Sequence, residues 1–299
     1  MRGPEGRILT YFLLGAVLAG VNPVAIRVSN RELDPLWGAG LRFGGAALLL
    51  YGVMAVMRLP FPRGRALLGT VAYGVLTFGV AFSLGYYALV RVHAGLAQAV
   101  LAVIPLATLL LAVAQRQERL RREAIVGALL ALAGICVLVR APLREGVPLA
   151  SFLALLGCAL AVAQATVAVR RMPQVHPVTM NAIGMAVGAS LQLVASLLVR
   201  EHVSLPQKGS TWLALGYMVA LGSVVVYILY IAVLGRWDAS RAAYSFVVIP
   251  LVTVGFSLWL DDEPLRLGLV AGGLMILAGV YIGALRTPAV TPQGGWKPG

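Results

Sequence analysis

Apolar residues run through this chain in stretches of about twenty, and charged residues fall almost entirely between them. At about 1.5 Å of rise per residue, roughly 20 apolar residues carry a helix across the hydrocarbon core of a bilayer. The punctuation marks ten such runs, near 8–28, 35–57, 66–90, 93–115, 122–139, 147–169, 177–199, 211–235, 240–260 and 265–285. The pattern predicts an all-α integral membrane protein with ten transmembrane helices. The fifth run is the weakest, because only sixteen residues separate Glu123 from Arg140 and the flanking arginines must snorkel to the interface. The first run is long enough to span and lacks a clean small-residue cleavage site, so it reads as a first transmembrane helix and not as a signal peptide.

The pattern also repeats. The stretch from Gly85 to Leu138 returns without a gap from Tyr230 to Gly283, 145 positions later. Arg91 falls on Arg236, Ile104-Pro105-Leu106 on Ile249-Pro250-Leu251, Thr108 on Thr253, and Glu118 on Glu263. Leu120-Arg121 falls on Leu265-Arg266, and Gly127 and Gly134 on Gly272 and Gly279. A duplicated unit of half the chain explains this register. Two repeats are expected at 1–140 and 146–286, followed by a tail at 287–299. Five helices per repeat is an odd number, so the second copy must enter the bilayer upside down relative to the first. The loops agree, since Arg116-Gln117-Glu118-Arg119 corresponds to Asp261-Asp262-Glu263-Pro264 with the sign of the charge reversed. Two inverted five-helix repeats about a pseudo-two-fold axis in the membrane plane are the architecture of secondary transporters.

Composition removes competing classes. With 60% hydrophobic and 12% charged residues and a mean hydropathy of +0.89, the chain has too little polar surface to cover a soluble domain. The net charge of +13 comes from arginines dispersed between apolar runs, which form no basic stripe, so no nucleic-acid partner is expected. They mark cytoplasmic loops and contacts with anionic lipid instead. Placing both termini in the cytoplasm puts most of them, including Arg58, Arg63, Arg65, Arg116, Arg170 and Arg171, on the inner side. Cys136 and Cys158 lie inside apolar runs and suggest neither a disulfide framework nor a metal site. His93, His176 and His202 sit near span ends, too far apart to advertise a metal cluster. No cofactor is expected.

The stretch Tyr87-Ala-Leu, Ala94, Ile104-Pro105-Leu106, Glu118-Arg-Leu120, Gly127 and Gly134, with a second copy ending Glu263-Pro-Leu265, Gly272 and Gly279, resembles the EamA repeat of the drug/metabolite transporter superfamily. Asp34-Pro35 and Leu41-Arg42 resemble that family's early motif, and the likeness covers about residues 8 to 285. The resemblance implies a five-plus-five helix fold working in a cytoplasmic (inner) membrane as a metabolite exporter, importer or exchanger, and leaves the solute open.

Charge inside a membrane is costly, so Arg42 stands out as the one charged residue well within a span. At similar depth the alternating helices place Asn22, Tyr86 and Gln98, which would form a polar layer toward the outside. Inverting the repeat places Gln164, Asn181, Tyr230 and Tyr244 in a second layer toward the cytoplasm, Asn22 and Gln164 being 142 positions apart. Between the layers, Tyr73, Phe78 and Tyr227, with Thr77, Ala102, Ser223, Phe246 and Val247, would line a cavity suited to an amphipathic solute whose anionic end Arg42 attracts. The bland alternative is that these groups only bond between helices. Pro105 and Pro250 hold equivalent midspan positions, where a missing amide and a ring clash bend a helix. Glu118 and Glu263 are expected to cap the helices that follow them.

The glycine faces Gly184 and Gly188, and Gly268, Gly272, Gly273, Gly279 and Gly283, allow close helix approach, within a monomer or across a homodimer. Apart from Glu123 at the very edge of the fifth run, no acidic residue falls within the ten runs, so the usual device of a proton-coupled antiporter has no candidate, and a facilitator or exchanger is preferred. The leading reading is an alternating-access transporter of small metabolites such as amino acids or amphipathic drugs. A membrane enzyme would need a cluster of catalytic His, Asp or Ser groups that the sequence does not offer. A channel or a non-transporting scaffold stays open as the alternative.

Overall fold

The computed structural model describes residues 4–117, 122–169, 171–226, 228–229, 245–260, 264 and 266–285. Helix α1 covers Pro4–Asn30 and α2 Pro35–Val56. The third apolar run folds as α3, Arg65–Gly74, a π-helical turn at Val75–Ala81, and α4, Phe82–Leu89. The fourth divides into α5, Ala94–Leu101, and α6, Ile104–Ala114. Then follow α7, Arg122–Arg144, α8, Leu149–Val169, and α9, Pro177–Leu198. The chain continues through α10, Gly209–Val219, with a π-helical turn at Ala220–Val225, then α11, Ser245–Leu260, and α12, Leu267–Val280, with a last π-helical turn at Tyr281–Leu285. Among the described residues all regular structure is helical. Seven helical stretches are long and apolar enough to cross a membrane, and the stretches at Gly209–Val225, Val248–Leu260 and Leu267–Gly283 are shorter apolar helices. The fifth stretch is longer than the sequence pattern suggested: it continues beyond Arg140 to Arg144 with Pro142 inside its last turn.

Helix ends follow from local chemistry. Both α2 and α9 open on a proline, where the missing amide costs nothing because the first-turn amides have no helical partner. Three helices close on an arginine with positive φ: Arg58 at 51°, Arg116 at 58° and Arg200 at 61°. Each sits in a tight C-terminal turn, as where the Leu59 amide reaches back to the Met54 carbonyl at 3.0 Å. The left-handed conformation strains a side chain there, while the cation favours the negative end of the helix dipole.

The π-helical turns Val75–Ala81 and Ala220–Val225 begin 145 residues apart, at matching places in the duplicated sequence. The two prolines behave differently. Pro105 lies just after a break: α5 closes with the Ala102 amide on the Gln98 carbonyl at 3.0 Å, and a new helix starts at Ile104. Pro250 sits inside the continuous helix α11.

Helix α2 packs along α9, and α7 along α12. Glycine makes the second contact possible, since a Cβ on Gly127 would stand 2.4 Å from the Gly279 carbonyl oxygen and one on Gly134 would stand 2.8 Å from that of Gly272. Adding 145 to Gly127 gives Gly272, and to Gly134 gives Gly279, so the two contacts exchange partners under the repeat. The helices run antiparallel, and only hydrogen-sized side chains fit where they cross.

One end of the bundle gathers the segments 30–34, 90–93, 144–148, 199–208 and 264–266, and is called the Asp34 end. There the strap 199–208 holds the start of α2. The Glu201 carboxylate accepts from the Leu36 amide at 3.1 Å and the Trp37 amide at 2.8 Å, while Asp34 Oδ2 accepts from the His202 amide at 2.7 Å. Trp37 Nε1 donates to the Ser204 carbonyl at 2.6 Å, so this indole is tied to the strap. Glu32 accepts from the Thr211 hydroxyl and from the amides of Gln207 and Lys208, which hold its carboxyl below the ordinary glutamate value. The opposite end, called the Arg63 end, carries 57–64, 115–117 and 171–176.

Candidate functional site

Arg42 is 2% exposed, at the second turn of α2 and beneath the strap. Its guanidinium lies 4.9 Å from the centre of the Phe43 ring and 5.4 Å from that of Phe82. The Tyr86 hydroxyl lies close enough to feel its charge and donates to Met218 Sδ at 3.6 Å. Tyr217 is close enough to feel its charge, and donates its own hydroxyl to the Leu18 carbonyl of α1 at 2.5 Å. Phe78, Phe82 and Tyr86 recur at every fourth position and bring one face of the third apolar run toward α2.

The wall continues inward. Phe43 packs on Phe78 and Phe82 with ring centres 5.1 and 4.7 Å apart, and Phe78 and Phe82 stack at 5.9 Å. Tyr73 meets Phe78 edge-on at 5.7 Å and donates to Asn181 Oδ1 at 3.3 Å. The Gln192 amide donates to the Phe78 carbonyl at 2.8 Å, within the π-helical turn where regular pairing is disturbed.

Two nitrogens of Arg42, Nε and Nη1, are buried without a hydrogen-bond partner. Among the described residues no carboxylate pairs with it. An arginine at the centre of a membrane helix costs about 2.5–3.5 kcal/mol on insertion scales, whereas a ring beneath a cation returns about 0.5–2 kcal/mol. The rings therefore hold the guanidinium without exhausting it, and unused donors in a water-poor place are an anion-seeking arrangement.

The predicted polar layers assemble only in part. Of the Asp34-end layer, Arg42 and Tyr86 meet, and Asn22 lies on α1, where its Nδ2 donates to the Gly222 carbonyl at 3.0 Å. That bond leaves Asn22 Oδ1 buried and unbonded beside the π-helical turn, near Ser223, whose hydroxyl is likewise buried without a partner. Gln98 is half-buried on α5, with no hydrogen bond tying it to this group. Of the other layer, Gln164 Oε1 accepts from Gln115 Nε2 at 2.7 Å, and Asn181 receives Tyr73 and bonds its Nδ2 to the Pro177 carbonyl at 2.9 Å. These lie toward the Arg63 end. Phe78 is fully enclosed by Phe43, Phe82 and the Gly184 and Gly188 face of α9, and so packs helix against helix in this conformation. Tyr227, Tyr230 and Tyr244 lie outside the described residues, as do Glu118 and Glu263.

Sequence reasoning missed Phe82, Tyr217 and Met218. An aromatic in an apolar run looks lipid-facing, and only the fourfold spacing of Phe78, Phe82 and Tyr86 hinted that one face turns inward. Among the described residues no cluster of His, Cys, Asp and Glu could hold a metal ion.

A bundle of apolar helices with a sequence plan stated twice is an architecture found among membrane transport proteins. The sequence profile of the EamA-like transporter family matches this chain twice, at residues 6–140 and 149–284. The chain belongs to that family, and it is a transporter, not an enzyme. A probable amino-acid metabolite efflux pump of Salmonella typhimurium is 28% identical over 287 residues, covering 90% of this chain and 92% of that protein. An uncharacterized inner membrane transporter of Escherichia coli is 27% identical over 277 residues, covering 90% of each. A crystal structure with 20% sequence identity superposes with a TM-score of 0.64 over 94% of this chain and 97% of that one, and so shares the fold.

Proposed function

We propose that this protein moves small metabolites, amino acids among them, across the cytoplasmic membrane by alternating access, and that Arg42 receives the anionic end of the solute. The observation that carries the reading is the buried guanidinium with two unbonded nitrogens against Phe43, Phe82 and Tyr86. The solute class is supported by the Salmonella relative named as a probable amino-acid metabolite efflux pump. On this reading the chain has ten spans in two inverted five-helix repeats, with both termini and the Arg63 end cytoplasmic. The exchanged glycine contacts of α7 and α12 support the inversion, because equivalent helices that cross antiparallel are related by an axis perpendicular to them. The recurrence of the π-helical turn at the same place in the third and eighth runs supports the duplication.

Rocking one repeat against the other would open the Arg42 wall first to one side and then to the other. The break at Ala102–Val103 and the proline in α11 lie at the depth where such a motion bends helices. With no buried carboxylate to carry a proton among the described spans, the gradient of the solute itself drives the flux.

The test is efflux from proteoliposomes loaded with a mixed pool of amino acids and other metabolites, read by mass spectrometry against protein-free vesicles. Selective loss of a few anionic or zwitterionic solutes is expected. Unselective leakage of the pool would point to a channel, and no loss from folded protein across imposed gradients would contradict transport.

A further inference from the structure

We infer that the Asp34 end carries a binding site for an anionic phospholipid, separate from the Arg42 wall. A cleft of about 110 Å³ opens where the turn after α4, the end of α7 and the start of α12 come together. Its rim carries Arg91, His93, Glu145 and Arg266, and its floor is apolar, with Leu96, Leu138 and Leu269. Arg266 is engaged by Glu145 in an ion pair. With that pair neutral, Arg91 is, among the described rim residues, the cation left to meet the single negative charge of a phosphodiester. Helix α12 begins at this rim, and the positive end of its dipole adds to the same preference.

The cleft does not end at the headgroup. A second cavity, of about 160 Å³ and almost wholly apolar, lies between α5, α11 and α12, and Leu269 walls both. Leu96, Ala99 and Ala102 follow one another at every third position of α5, so one face of that helix leads from the charged rim down into the groove. From His93 to Ala102 the path is roughly 14 Å at 1.5 Å per residue, close to the ~15 Å of one hydrocarbon leaflet. A phosphate at the rim thus places an acyl chain along Ala99, Val254, Val270 and Leu274, with its tip at the helix break beside Ala102 and at Pro250. An inorganic anion has no use for the groove, and a neutral lipid has no use for the arginine.

The experiment is native mass spectrometry of the full-length protein titrated with dioleoylphosphatidylglycerol or dioleoylphosphatidylcholine. Two variants isolate the two parts: Arg91→Gln at the exposed rim, and Gly273→Leu in the groove, where an added Cβ meets nothing within 4 Å. The wild type should retain the phosphatidylglycerol about fivefold better, the factor expected of one arginine at a lipid surface. Arg91→Gln should bring the two lipids to parity, and Gly273→Leu should weaken both. Equal retention by the wild type, or a preference that survives Arg91→Gln, would overturn the proposal. So would displacement of the lipid by millimolar inorganic phosphate, which would mark a free-anion site.

Discussion

Helix α2 meets α10 much as α9 meets α3, for the two pairs hold corresponding places in the duplicated chain, yet the contacts are built oppositely. Pro35 and Pro177 open α2 and α9 at positions 142 apart, and the same step carries Arg42 onto Gly184. On the Gly184 side the helices touch backbone to backbone: a Cβ on Gly74 would stand 2.7 Å from the Gly184 Cα, and one on Gly188 would stand 2.2 Å from Phe78 Cβ. On the Arg42 side a cation occupies the equivalent position, Tyr217 and Met218 stand opposite, and a Cβ on Gly45 would meet only the Val219 side chain at 3.2 Å. One copy of the frame became a tight seam and the other a polar wall. A duplicated scaffold can divide its labour this way because one substitution at a matched position decides whether helices close or leave a group to be answered.

The largest effect should come from prying the seam. Gly188→Val ought to lower stability by about 3 kcal/mol or more, since its Cβ meets the Phe78 backbone and an overpacked core cannot relax there. Gly45→Ala, on the Arg42 side, should cost less than about 1 kcal/mol because the Val219 side chain can yield. Thermal unfolding in detergent compares them, and equal losses would erase the distinction between seam and wall.

A smaller loss is expected for Gln192→Leu. It leaves the Phe78 carbonyl without its donor and should cost about 1 kcal/mol by the same measurement. Retention of full stability would mean that the π-helical turn needs no help from α9.

The seam helix also has a pH-sensitive start. Burial holds His176 below the ordinary imidazole value, and its Nδ1 accepts from the Val178 amide at 3.3 Å, which requires the neutral ring. A depressed folded-state value means that the cap's contribution is complete above the unfolded value of about 6.5 and fades as pH falls through the folded one. The protection factors of the first turn of α9 against hydrogen exchange should therefore fall as pH drops below about 6.5, the unfolded value, and His176→Asn, a cap that does not titrate, should remove the dependence. The start of α2 is held by the Glu201 carboxylate instead.

The smallest effect concerns the end of the wall helix. Arg58 holds a φ of 51°, and Arg58→Gly should raise stability by a few tenths to about 1 kcal/mol, set against a small loss of charge at the helix end. An unfolding temperature below that of the wild type would show that the cation outweighs the strain.

The apolar runs and the repeat were legible because both are written in residue type alone: a charge every twenty or so residues, and Pro, Gly and Thr in register. The same signals could not separate Pro105 from Pro250. Each removes one amide and crowds the preceding turn, and Thr108 and Thr253 bond back to the carbonyls of Ile104 and Ile249 in the same way. The single Thr253 hydroxyl proton is shared with the Gly20 carbonyl of α1, the nearer acceptor at 2.7 Å, and α1 lies against that turn of α11. A tertiary contact of that kind supports a continuous helix, and no local pattern announces it. Arg42 was legible as a cost without a partner. Its surroundings were not, because Phe82 and Tyr217 come from other helices, and the facing of Phe82 depends on the π-helical turn that re-phases the third run. Gln98 shows the limit of depth arguments, for equal depth did not bring it into the Arg42 wall.

The most direct measurement is flux through reconstituted wild type and Arg42→Leu, using a transported carboxylic acid and its uncharged amide of the same shape. The substitution should slow the acid at least tenfold, the effect of losing roughly 1.4 kcal/mol or more of charge-assisted binding, and leave the amide within about twofold of the wild type. Equal slowing of both solutes by a variant that remains folded would contradict the role given to Arg42.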